Sequence, residues 1–358
     1  MKTQVREKMS YKGQPVYVGL DVHKKTWKVA TCTMHTNPGP WTITIERPFV
    51  QKLKEHLDKH YPGADIVCGY EAGFCGYWIH DELNAVGLKT TVLHPADIPT
   101  TDKERDQKED RSDARKIAKA LKNGDVKGIY VPSAQAQWDR SLVRERYSIA
   151  KNSRRIKVQI KSHLALYGIE IPEEMEGRHW SRNFITWLEK VRDERQDGTL
   201  ELQIGRLHLM RDLQLKADRD IRSLCRKERN KEVFMVLISV PGVGALTSML
   251  LRTEIVDMKR FSSFRRLCSY TGFIPTKYSS SDKEAPGTIT SRRNKHLRTA
   301  LIESSWVAMK YDSELMLKYE EYRKRMNAQR AIVRIAKILL RRIRYVWMNM
   351  QPYKKAFA

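Results

Sequence analysis

Four carboxylates stand where they could do chemistry together. Asp21 closes the apolar run Tyr17-Val18-Gly19-Leu20, and Glu71 closes a second run, Cys68-Gly69-Tyr70, so each acid falls where a strand gives way to a turn. Asp110 and Asp113 are three apart at the start of a helical pattern, a spacing that points both to one side of a first helical turn. If the strand ending in Asp21 lies beside the one ending in Glu71, those two acids meet. Converging carboxylates repel one another and stay ionised in one pocket by binding divalent cations. Oxygen-only ligands favour Mg²⁺ or Mn²⁺, and a pair of such ions clamps the attacking and leaving oxygens of a phosphodiester. Taken singly, Asp21 reads as a turn residue, Asp110 as a helix N-cap and Asp113 as a partner of the helix dipole. The metal reading rests on their joint placement. Asp102, Asp106 and Glu109, close by, read as solvated loop charge.

A second concentration of reactive groups lies near the other end. The segment from Phe261 to Pro275 leads into TKYSSSDKEAPGTITSRRNKHLRTALIESSW, in which hydroxyls crowd beside cations. A serine flanked by Lys277, Lys283, Arg292, Arg293 and Lys295 can attack phosphate, the cations offsetting charge in the transition state. A Ser-rich loop that binds phosphates without reacting with them fits the composition equally. Upstream, Pro241-Gly242-Val243-Gly244 between helical runs has the form of a helix-hairpin-helix turn. The backbone N–H groups of Gly242 and Gly244 would then meet a DNA phosphate; an ordinary glycine turn is the alternative.

The charge balance says what kind of molecule these groups would meet. Lys and Arg total 67 against 42 Asp and Glu, a formal net charge of +25 in 358 residues. That excess points to a polyanionic partner. It is spread over Lys24-Lys25, Arg154-Arg155, Arg292-Arg293 and Arg341-Arg342, a pattern of broad backbone contact. The five cysteines, Cys32, Cys68, Cys75, Cys225 and Cys268, have neither CxxC pairing nor metal-ligand spacing, and read as reduced thiols of a cytosolic protein. The polar, basic start carries no secretion signal, and no apolar run approaches the roughly 20 residues of a spanning helix.

The elements that must position these groups follow from periodicity. Strand-like runs over Val16–Leu20, Trp27–Cys32 and Trp41–Ile45 predict an antiparallel meander. A helical pattern through Phe49, Leu53 and Leu57, a strand Ile66–Tyr70, a helix near Tyr77–Val86, a strand Thr90–Leu93 and a helix from Asp113 to Leu121 complete the unit. Three strands, helix, strand, helix, strand, helix is the order of an RNase H-like α/β layer, a mixed sheet with helices on its faces. A basic helix over Ala134–Tyr167, broken by Gly168 and Pro172, leaves this first domain. Thr199–Asn230 is helical again, with Leu200, Ile204, Leu207, Met210, Leu213, Ala217, Ile221 and Leu224 on a stripe that Gln214 interrupts. A packed helical hairpin and a short dimerising coiled coil both fit. A mainly helical third unit follows, ending in a basic helix over Ala331–Met348. The expected domains are 14–167, 168–230 and 231–358.

Several strings together resemble a known family. GLDVHKKTW, YEAG, KEDRSDARKIA, SVPGVG, SYTGFIPTKYSSS and SRRNKHLRTALI are similar, in order and over nearly the whole chain, to insertion-sequence transposases of the one-hundred-and-ten group, also known as bridge-RNA-guided recombinases. The resemblance implies a RuvC-like domain whose DEDD set falls on Asp21, Glu71, Asp110 and Asp113, a coiled-coil middle, and a C-terminal transposase domain with a catalytic serine. In the family's pattern that serine lies two positions after an aromatic, which selects Tyr278 and Ser280. The row Ser279-Ser280-Ser281 departs from the pattern and leaves a shift of one residue open. The resemblance further implies Mg²⁺ or Mn²⁺ at the acids, a 5′-phosphoserine intermediate, and donor and target DNA paired to a structured guide RNA. It also implies dimers assembling to a tetramer, with active sites shared between subunits, in the prokaryotic cytosol and nucleoid. Two rival readings are a RuvC-like nuclease or resolvase using metal-activated water, and a non-catalytic nucleic-acid-binding protein.

Overall fold

The computed structural model describes residues 11–36, 43–45, 50–99, 110–175, 177, 180–280, 283–289 and 293–354; for 43–45, 110–112, 275–280 and 283–289 it describes the backbone alone. The chain divides into two compact units, 1–131 and 132–358.

The first unit is built on β1 (Pro15–Val22), β2 (Trp27–Thr33), β3 (Ile43–Ile45), α1 (Val50–His60), β4 (Asp65–Glu71), α2 (Trp78–Ala85), β5 (Lys89–Leu93) and α3 (Asp110–Asn123). The sheet order is β3-β2-β1-β4-β5. β1, β2 and β3 pair antiparallel, as the meander predicted, whereas β4 lies parallel to both β1 and β5. Alternation sorts the two faces of the central strands. Val16, Val18 and Leu20 of β1, with Cys68 and Tyr70 of β4, pack on Leu53 and Leu57 of α1 and Ile79 and Leu83 of α2. Each such fully buried side chain contributes about 1.5–3 kcal/mol. The opposite face carries Tyr17, which packs with Ala30 and Cys32 of β2 against Ala114 and Ala118 of α3. This mixed sheet covered by helices on both faces is the RNase H-like layer that the element order predicted.

The second unit begins with α4 (Ala134–Leu166), capped by Ser133, whose hydroxyl accepts from the Ala136 N–H. Its 33 residues span about 50 Å. The division at Val131/Pro132 thus assigns to the second unit the helix that the sequence attached to the first domain. The C-terminal half of α4 packs through Ile156, Ile160 and Leu164 on α5 (Arg182–Arg195) and α6 (Gly198–Arg226), burying Phe184, Leu188, Leu200, Ile204 and Leu207. Much of the predicted stripe is therefore consumed within the chain, in a packed hairpin. The helix expected over Thr199–Asn230 breaks at Lys227, whose backbone is extended between α6 and α7 (Glu228–Ile238).

A larger core joins Val143 of α4 to α7, α8 (Ala245–Ile255), α9 (Phe264–Thr271), α10 (Lys295–Tyr311), α11 (Ser313–Arg323) and α12 (Ala328–Asn349). Between α9 and α10 stand β6 (Pro275–Ser280) and β7 (Lys283–Ile289), paired antiparallel with Ser280 opposite Lys283. The Ser-rich segment is thus a hairpin. All five cysteines are free thiols, and among the described residues no helix is long and apolar enough to cross a membrane.

Candidate functional site

The carboxylate site starts from two glycines. Gly19 and Gly69 face each other across the parallel β1–β4 ladder, which runs to Leu20 and Tyr70. Asp21 and Glu71 are the next residues along their strands, two beyond the glycines and hence on the same face. That is the face α3 covers. A β-carbon at Gly19 would overlap the carbonyl oxygen of Ala114 and come within 2.6 Å of the Ala118 nitrogen; one at Gly69 would come within 2.8 Å of Leu121. The missing side chains let the helix lie directly on the strands.

α3 runs against the direction of β1. Near its C-terminus Lys122 donates to the Thr36 carbonyl at 3.0 Å, beside the strand starts, while near its N-terminus Asp113 acts electrostatically on Asp21. The positive end of the helix dipole therefore faces the acids, which favours their ionised form.

Asp21 is the most enclosed of the described acids, its side chain 16% exposed. Burial pushes its carboxyl up, and the charge of Asp113 adds to the rise; His23 and Lys28 oppose it. The His23 ring, through Nε2, hydrogen-bonds Asp21 Oδ2 at 3.1 Å. Asp113 also pairs with Lys116 at 3.3 Å. Glu71 is exposed at the end of β4. The side chain of Asp110 lies outside the described residues, its backbone being the first of α3. Among the described residues no three His, Cys, Asp or Glu side chains are gathered closely enough to grip an ion. In kind, the donors suit a hard divalent cation: all are carboxylate oxygens, two repel each other, and Asp21 is held in partly dry surroundings. Lys24 and Lys25 are exposed in the β1–β2 turn, at the same end of the sheet.

The serine hairpin belongs to the second unit. Ser280 is the last residue of β6 and Tyr278 and Lys277 precede it on the same strand, with backbone alone described. Ser281 and Arg292 lie outside the described residues. The base of the hairpin is held by a polar network that the sequence reading missed. Glu254 of α8 is fully buried and takes a bidentate pair from Arg144 of α4, at 2.6 and 2.9 Å. Asn294 donates to its Oε2 at 2.7 Å, caps α10 by accepting from the Leu297 N–H, and gives its own N–H to the Tyr270 carbonyl. Burial pushes the Glu254 carboxyl up, but Arg144, Arg140 and Asn294 outweigh it and hold it below its ordinary value. Residues on both flanks of the hairpin, Tyr270 and Asn294, thus share one buried anchor. Nothing in local spacing marks it, because Arg144 and Glu254 are 110 positions apart.

Next to this anchor, Arg293 packs over Gly272, whose φ of +75° a side chain would strain, and Lys295 is exposed in the first turn of α10. Gly242 has φ +81°, and a β-carbon there would overlap the Ser304 carbonyl and come within 2.7 Å of the Ala308 nitrogen. It is a packing glycine that seats the turn on α10. Gly244, at the N-cap of α8, has open space where a side chain would be.

The chain is similar to known transposases over both of these regions. A family profile for DEDD transposases, described as "Transposase", matches residues 18–169, the range that contains all four acids. A second, described as "Transposase IS116/IS110/IS902 family", matches residues 235–320, which contain the glycine turn and the serine hairpin. A putative transposase of Sinorhizobium fredii is 26% identical over 66% of this chain and 57% of its own length. Another from the same organism is 26% identical over 83% of this chain and 80% of its own length. The transposase for insertion sequence element IS1533 of Leptospira borgpetersenii is 26% identical over 70% of this chain and 72% of its own length. Two profiles matching in order along the chain, over residues 18–169 and 235–320, with relatives described as transposases, make this chain a member of the IS110 family of insertion-sequence transposases.

Proposed function

We propose that the chain cuts and rejoins DNA through a covalent 5′-phosphoserine, guided by a structured RNA, with a divalent cation, Mg²⁺ or Mn²⁺, held by Asp21, Glu71, Asp110 and Asp113. The observation that carries the reading is the convergence of Asp21 and Asp113, two like charges gathered at the strand ends under the start of α3, in a chain of net charge +25. The cation would offset negative charge on the phosphate and its departing oxygen. In this reading the Ser280 hydroxyl attacks phosphorus and gives up its proton, the bond between phosphorus and the 3′-oxygen breaks, and the leaving 3′-oxygen takes a proton, so a 3′-hydroxyl is freed. The reverse reaction on a new partner strand exchanges the ends. Lys277, Arg292, Arg293 and Lys295 would neutralise phosphate around the serine, and Lys24 and Lys25 nucleic acid near the acids. Pairing between the RNA and both donor and target DNA would leave the protein to grip backbone and shape. Dimers assembling to a tetramer would bring the ends of two duplexes together.

The test is incubation of the protein with Mg²⁺, candidate guide RNA and end-labelled DNA, followed by a denaturing gel. A protein-linked labelled strand that is lost in Ser280→Ala and in Asp21→Asn supports the reading. A linked strand that persists in Ser280→Ala moves the nucleophile to Ser279 or Ser281. Cleavage with no linked strand in the unaltered protein makes it a nuclease that uses water.

A further inference from the structure

The basic C-terminal helix takes no part in either site described above. α12 buries Ala331, Ile332, Ile335, Ala336, Leu339, Leu340, Ile343, Val346 and Trp347, a continuous apolar stripe. At 100° per residue, Arg330, Arg334, Lys337, Arg341 and Arg344 fall within a narrow arc on the side directly opposite. Arg330, Arg334 and Arg341 are exposed, and Lys337 and Arg344 half-buried. The exposed ring of Tyr345 continues the row.

Ion pairing separates these cations from their neighbour on the same helix. Arg342, one step round, is half-buried, pairs with Asp312 at the N-cap of α11 and with Glu314 of its first turn, and is neutralised there. Among the described residues none of the five outward cations has a carboxylate within 4.0 Å, and the Nε of Arg344 is buried with no partner there. The Arg341 guanidinium stands over the Phe264 ring of α9, 5.0 Å from its centre, a contact that holds it along the row. Five like charges at successive turns of a well-anchored helix repel one another, and no carboxylate among the described residues pairs with them to offset that repulsion.

The geometry points to this row as a docking face for duplex DNA, gripping the phosphates of one strand. From Arg330 to Arg344 the helix rises about 21 Å, the axial rise of about six phosphates on one strand. The inference rests on DNA being the substrate, and duplex DNA rather than guide RNA is assigned because the row belongs to the unit that carries the serine hairpin. A straight row on a rigid helix also suits a regular duplex better than a folded RNA.

The experiment measures binding of the full-length protein to a labelled 30-base-pair duplex as a function of NaCl, beside a structured RNA of equal length. Replacing all five cations by Gln is expected to lower the magnitude of the log–log salt slope for the duplex by up to about 4.5, near 0.9 per lost phosphate contact. Affinity at moderate salt should fall at least tenfold, and the slope for RNA should stay. A control with Gln at the exposed Lys59, Lys89, Lys127, Lys190 and Lys216 has the same net charge and should keep the slope of the unaltered chain. The single variants Arg330→Gln and Arg334→Gln, each expected to remove about 0.9, serve if the fivefold variant does not fold. An unchanged duplex slope, an equal loss in the control, or a loss confined to RNA each overturns the proposal. If the slope falls but the unaltered protein never yields a linked strand, the covalent reading fails and the docking face stands. A linked strand with an unmoved slope does the reverse.

Discussion

Gly19 and Ala114 touch so closely that α3 rests on β1 backbone to backbone, with no room for a β-carbon between them. This one contact brings Asp113 within electrostatic reach of Asp21. Gly19→Ala must push the helix off the strand, and overpacking of this kind costs about 1–3 kcal/mol or more. Chemical denaturation should show that loss together with lost DNA cleavage. Gly73→Ala, where a β-carbon meets only the Glu71 carbonyl at 3.9 Å, should stay within about 0.5 kcal/mol of the unaltered protein.

Asp21 carries a charge that the metal-free fold disfavours, through burial first and through Asp113 as well. Asp21→Asn is therefore expected to raise the melting temperature in a chelator while abolishing cleavage. Mg²⁺ at 100 times its dissociation constant should stabilise the unaltered protein by about 2.7 kcal/mol. The same addition should leave the Asn variant unmoved in a thermal melt. A variant that melts lower than the unaltered chain in chelator would count against a carboxylate kept for metal binding.

Glu254 is the opposite case, a buried carboxylate whose partners more than compensate its burial. Its folded value lies below the unfolded one, so its contribution is complete at pH well above 4.5 and is lost as the pH falls through the depressed folded value. Glu254→Gln should cost about 3 kcal/mol at neutral pH, the lower end for breaking a buried pair, because Arg144 keeps access to water. Urea titrations at neutral and acid pH should converge for the two proteins as the pH drops. A constant gap across that range would show that Glu254 is not the group being titrated.

Gly242 and Gly244 should behave differently although they are two residues apart in one turn. Gly242→Ala meets both a left-handed backbone and the Ser304 carbonyl, and should lose more than about 2 kcal/mol. Gly244→Ala has space and an extended backbone, and should lose less than about 1 kcal/mol. Equal losses in thermal unfolding would show that the turn is not seated on α10 through Gly242.

The sequence by itself determined the order of the elements and the acids at their ends. Period-two alternation at Val16, Val18 and Leu20 and helical spacing at Ala114, Ile117 and Ala118 are local signals, imposed by which face each residue must bury. Asp21, Glu71 and Asp113 were legible for the same reason, since each stands at the end of such a run. Tertiary structure alone decided the rest. That α3 lies antiparallel on β1, that Gly242 is a packing residue, and that Arg144 anchors Glu254 from 110 positions away depend on pairings between distant segments. The same holds for α12, where only the packed core shows that Arg342 is neutralised while the outward cations have no carboxylate partner among the described residues. Side-chain periodicity records which face is buried, but carries no record of what it is buried against.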